Sequence, residues 1–122
     1  MNEEHIISEK INLPKDLFLI IKKTPIVIIK VSASWCGPCK NKIFLESYNK
    51  LKSSYSQISE IKFIELDVDD DANILNDTKY YNIDITSIPT FLISKNSVFT
   101  RKYIGCVYLN EINEYIYNNI TK

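Results

Sequence analysis

At 122 residues, 45% hydrophobic and 25% charged, the chain has the size and make-up to bury one core as a single globular domain over 1–122. Fifteen basic and fifteen acidic residues cancel to a net charge of +0, which offers no attraction to nucleic acid or to an anionic membrane. Three cysteines are too few for a disulfide-stapled secreted scaffold, and no apolar run approaches the ~20 residues of a membrane span.

In chain order, Met1 to His5 show no basic stretch leading into an apolar one, so no signal peptide is read and a reducing cytosol is the expected compartment. Residues 5–8 suit a short edge strand. Leu13 to Lys23 predicts a helix, started near Asn12 and Pro14 and followed by Pro25. The β-branched run Ile26 to Ser32 predicts a buried strand. From about residue 36 to Tyr55 the residues suit one long helix, since nothing interrupts it after Lys40. Ile61 to Val68 predicts a strand covered on both faces. The acidic cluster Asp67, Asp69, Asp70 and Asp71 is expected to cap a short helix reaching Tyr80 and to be solvated; it lacks the glycine and bidentate glutamate of a calcium loop. Residues 90–95 and 98–104 read as strands joined by a tight turn at Asn96-Ser97. Leu109, Ile112, Ile116 and Ile120 give an amphipathic helix over 108–120. Such an order implies an α/β domain with a mixed sheet and helices on both of its faces.

The chemistry concentrates in Trp35-Cys36-Gly37-Pro38-Cys39-Lys40, which holds two of the three cysteines, one of the two glycines and the only tryptophan. On a helix, residues i and i+3 stand about 5–6 Å apart, within disulfide reach. Cys36 falls where a strand ends and a helix begins, where free N–H groups favour a thiolate. Half a zinc site is an alternative, but there is no second CxxC and the one histidine, His5, is remote. Two merely structural cysteines are another, against which Gly-Pro at a strand-to-helix junction argues. The redox reading is favoured.

The WCGPCK motif, preceded by a hydrophobic strand and followed by a helix, resembles the active site of the thioredoxin family. Ser87-Ile88-Pro89-Thr90 ahead of Phe91-Leu92-Ile93 is similar to the family's cis-proline loop, and Gly105 falls at its closing glycine. The resemblance covers roughly residues 5–120. It implies an α/β thioredoxin fold with a central mixed sheet of four to five strands flanked by helices on both faces. It implies a protein thiol–disulfide oxidoreductase acting on disulfide-containing proteins. Cys36 would be the nucleophile and the more exposed cysteine, Cys39 the resolving thiol, and Cys36–Cys39 the redox-active disulfide. Trp35, Gly37, Pro38, Ile88, Pro89, Gly105 and Cys106 would form the substrate surface. Trp35 would cover the site. Pro38 would stiffen the dithiol loop, and Ile88, beside a cis Pro89, would pair with an extended substrate. Gly37 and Gly105 are the only glycines, and close backbone approach is the expected reason for both. The resemblance implies no bound cofactor and no metal, a thioredoxin-reductase-like electron donor, and a monomer.

Three positions depart from the family pattern. Lys30 stands where the family has a buried aspartate, and Glu65 where it has a lysine. A buried lysine without a partner is costly, so the two are expected to pair, with Glu65 as proton acceptor for Cys39 and Lys30 holding it ionised. Lys30 reaching out to the sheet end is the alternative. Ser32 replaces a common tryptophan and leaves less apolar bulk behind the active-site loop. Cys106, after Gly105, is either a small buried residue or an additional surface thiol.

The Gly-Pro pair between the cysteines is that of the family's reductants. An isomerase or a reductant dedicated to one client is the second reading. A binding module that docks partners through Trp35, the Ile88-Pro89 loop and Cys106, with turnover incidental, is the third.

Overall fold

In the computed structural model, residues 11–77 and 79–120 are described; the expected strand at 5–8 lies outside them. The centre is strand β1, Ile26–Ser32, whose first six residues are all buried. It pairs parallel with β2 (Ile61–Asp67) and antiparallel with β3 (Thr90–Lys95), which pairs antiparallel with β4 (Val98–Ile104). The described residues thus form a mixed four-stranded sheet in the order β2-β1-β3-β4. A hairpin joins β3 to β4 through Asn96 (φ 51°) and Ser97 (φ 73°), the left-handed pair that a two-residue turn matched to strand twist requires.

Because side chains alternate along a strand, β1 feeds two cores. Val27, Ile29 and Val31 pack with Leu17, Ile20 and Ile21 of helix α1 (Pro14–Lys23) and with Ile74 and Leu75 of α3 (Ala72–Leu75). Ile26 and Ile28 pack on the opposite face with Phe44, Tyr48 and Leu51 of α2 (Lys42–Ser54) and with Ile112 and Ile116 of α4 (Leu109–Asn119). Lys30 belongs to this second, even-numbered face. Its burial under α2 follows from the register alone.

Two helices differ from the expected extents. The segment read as one helix over about 36–55 is divided: a single 3-10 turn, Pro38–Lys40, precedes α2, and Asn41 between them has an extended ψ of 128°. Asn41 Oδ1 accepts the Phe44 N–H at 3.0 Å, so the asparagine caps a new helix in place of continuing the old turn. Helix α3 stops at Leu75 and does not reach Tyr80. Asn76 and Asp77 follow, residues whose side chains compete for backbone hydrogen bonds; Asp77 Oδ1 accepts the Lys79 N–H at 2.8 Å.

Candidate active site

Strand β1 delivers the chain to the site. Past Ser32, whose carbonyl accepts the Val68 N–H at 2.9 Å, the Cys36 N–H bonds back to Ala33 O at 3.1 Å. Cys36 and Cys39 are joined as a disulfide, their Cα atoms 5.3 Å apart. The Cys39 N–H points at Cys36 Sγ, 3.2 Å away. The N–H group expected to favour a thiolate is therefore supplied by the short 3-10 turn, not by the long helix. Cys36 was expected to be the more exposed cysteine, but the residues are 4% and 5% exposed. The disulfide draws both into one cluster with Ala33, Val68 and Ile88, so burial does not distinguish them.

Trp35 stands out from the surface, 65% exposed, and its Nε1–H donates to Asp69 Oδ2 at 2.7 Å. The acidic cluster thus does more than cap. Asp67 Oδ1 accepts the N–H groups of Asp69 and Asp70 at 2.8 and 3.0 Å, a turn that sets Asp69 beside the indole. These backbone donors, Asp70 foremost, hold the Asp67 carboxyl below its ordinary range. Asp69 was missed in the sequence. Its signal was the parallel pairing of Ser32 with Asp67, which brings the residues just beyond both strands together.

The Ile88-Pro89 peptide is cis, as expected from the motif. The Gly105 N–H donates to Pro89 O at 2.8 Å, tying the loop before β3 to the end of β4. Gly105 has a φ of +112°, a conformation that disfavours any side chain. Gly37 is different: its φ of −60° is open to any residue, and a Cβ there would meet nothing within 4 Å. The backbone of this chain demands glycine only at 105.

Cys106 is half-buried and free. Its Sγ donates to Pro38 O at 3.5 Å, and it lines a groove with Pro38, Asn41, Ile43, Phe44, Ser47 and Leu109. Burial pushes its thiol above the ordinary value. It is thus neither core nor open surface.

Lys30 and Glu65 are direct cross-strand partners, but their ion pair is long, Nζ to Oε1 3.9 Å. The close partner of Glu65 is Lys52, 2.6 Å from Oε2. Lys30 does not reach the sheet end. It is 5% exposed, with its ammonium 4.6 Å from the Tyr48 ring centroid and 5.8 Å from that of Phe44. Burial lowers its pKa, an effect that Glu65 opposes. Lys52 was not foreseen, since nothing local in a helix sequence marks which lysine turns inward.

A disulfide on the turn that follows the central strand, beside a cis-proline loop and beneath an exposed tryptophan, defines a thiol–disulfide oxidoreductase of the thioredoxin fold. The thioredoxin family model matches residues 13–118, and the chain belongs to the thioredoxin family, whose members are protein-disulfide oxidoreductases. It is 31% identical to thioredoxin H4-2 of rice over 101 residues, 83% of this chain and 69% of that protein. It is 30% identical to mitochondrial thioredoxin-3 of Saccharomyces cerevisiae over 70% of this chain and 60% of that protein. The crystal structure of the oxidised form of that yeast protein superposes with a TM-score of 0.73, covering 95% of this chain and 99% of the other at 24% identity. The solution structure of oxidised thioredoxin from Plasmodium falciparum, 28% identical, gives 0.65 over 84% and 90%.

Proposed function

We propose that this chain is a general reductant of protein disulfides, acting as a monomer in a reducing cytosol. The Cys36 thiolate attacks one sulfur of a target disulfide; that bond breaks and the other target sulfur leaves as a thiolate. Cys39 then attacks Cys36 Sγ, forming Cys36–Cys39 and releasing the second target thiol. The two electrons come from the dithiol and are restored by a thioredoxin-reductase-like donor. The assignment of Cys36 as nucleophile is supported by one observation above the rest: the Cys39 N–H is directed at Cys36 Sγ at 3.2 Å, a donor that favours a thiolate there. Trp35, Gly37, Pro38, Ile88, Pro89, Gly105 and Cys106 make the surface that receives the client. Lys30 and Glu65 tune the thiols; slower resolution of the mixed disulfide in Glu65→Gln would assign the carboxylate as the proton acceptor of Cys39.

The test is reduction of insulin by dithiothreitol, followed by turbidity. Wild type accelerates it, Cys36→Ser abolishes the acceleration, and Cys39→Ser accumulates a covalent adduct with the client. No acceleration by the wild-type protein overturns the proposal.

A further inference from the structure

Where α2 crosses β1 and β2, two ammonium groups share one carboxylate. Glu65 gives one oxygen to Lys52 at 2.6 Å and leaves the other 3.9 Å from Lys30. The Tyr48 ring carries both cations on it, Lys30 at 4.6 Å and Lys52 at 5.1 Å, and its hydroxyl is buried with no hydrogen-bond partner among the described residues. Two cations and one anion leave the cluster with an excess positive charge. Glu65, with its side chain 37% exposed, is closest to Lys52, so the excess resides mainly on Lys30.

Phe44 connects that charge to the active-site turn: it lies 5.8 Å from the Lys30 ammonium and lines the groove together with Pro38 and Cys106. Lys30 and Cys106 interact electrostatically, and Cys106 Sγ is bonded to the carbonyl of Pro38, the residue before Cys39. The titratable groups that face Lys30 are Glu65 from β2, Tyr48 and Lys52 from α2, and Cys106 from the segment before α4.

We propose that Lys30 is an electrostatic positioning residue for the dithiol, a buried cation that favours thiolate over thiol, and that Lys52 decides how much of this charge reaches the thiols by engaging Glu65. The inference rests on Cys36–Cys39 being the working couple. Its direction follows from charge balance. A cation stabilises the reduced, thiolate-bearing form and does nothing for the uncharged disulfide, so it makes the couple less reducing. Removing Lys52 frees Glu65 to neutralise Lys30. The two substitutions therefore act with the same sign.

The experiment compares wild type, Lys30→Met and Lys52→Met in two readouts: equilibration of the couple with glutathione, and titration of the Cys36 thiolate by its absorbance at 240 nm. Lys30→Met is expected to shift the equilibrium constant at least threefold towards the more reducing side, about 14 mV, and to raise the apparent thiol pKa. Lys52→Met shifts both in the same direction by less. The difference between Lys30→Met and wild type closes at a pH high enough to deprotonate Lys30, a group that burial already brings below the ordinary lysine value. Should Lys30→Met not fold, Lys52→Met carries the test. Folded variants whose equilibrium constant and thiolate titration stay within twofold of wild type overturn the inference, as does a shift of opposite sign. These readouts need no client, so a wild type inactive on insulin would defeat the reading as reductant and leave this one to be judged separately.

Discussion

Lys52, on α2, holds the Glu65 carboxylate at 2.6 Å, while Lys30, the cross-strand neighbour of Glu65, stands 3.9 Å away under the Tyr48 ring. A charged residue inside a sheet–helix interface is usually costly unless well paired, and Lys30 is only loosely paired. Its cost is visible in the lowering of its pKa by burial.

That cost makes stability depend on pH. Because the folded state holds the Lys30 proton less tightly than the unfolded chain does, the unfolded state binds more protons between the lowered value and 10.5, and stability rises with pH in that window. Cys106 and Tyr48, both raised by burial above 9.0 and 10.0, act oppositely once the pH passes those values. Urea denaturation at increasing pH towards 10.5 is therefore expected to show a Lys30-dependent gain, larger in wild type than in Lys30→Met.

Tyr48 carries a buried hydroxyl with no hydrogen-bond partner among the described residues. Tyr48→Phe keeps the ring beneath both lysines and removes the unsatisfied group. It is expected to leave stability unchanged or raise it by about 1 kcal/mol, measured by chemical denaturation. A loss above about 1 kcal/mol would show that the hydroxyl is engaged.

The indole of Trp35 is fixed by Asp69 alone among the hydrogen bonds of the described residues. Asp69→Ala removes a bond worth about 1 kcal/mol, so kcat/KM for a protein disulfide is expected to fall about fivefold with little change in thermal stability. As Trp35 is the only tryptophan, its fluorescence anisotropy reports the released ring directly and should decrease.

The two glycines separate conformational need from access. Gly105→Ala forces a side chain into a φ of +112° and is expected to cost about 1–3 kcal/mol. Gly37→Ala, at φ −60° with open space around it, is expected to change stability by less than about 1 kcal/mol. A fall in insulin reduction by Gly37→Ala at unchanged stability would mark the position as one that a client backbone approaches.

Much of this molecule was legible along the chain because its signals are local. The β-branched run of β1, the Asn96-Ser97 turn and the Leu109–Ile120 periodicity each report their own conformation. Pro89 and the CxxC spacing needed only their neighbours to be interpreted. The helix boundaries misread in sequence lie at Asn41 and just before Asp77, places where a short polar side chain bonds the nearby backbone, a choice that apolar periodicity does not register.

The amino-acid sequence by itself determined the fold, the redox pair and the loop that faces it. Only the tertiary structure decided which charges meet. Trp35 and Asp69 are 34 residues apart, Lys52 and Glu65 13, Cys106 and Pro38 68. Their pairing depends on how the parallel register of β1 and β2 and the packing of α2 over the even face of β1 superpose distant residues. Hydrophobic periodicity states that a helix will cover a sheet; it does not state which lysine of that helix will lie over which carboxylate, because ion pairs are selected by the packed geometry after the apolar faces have set it.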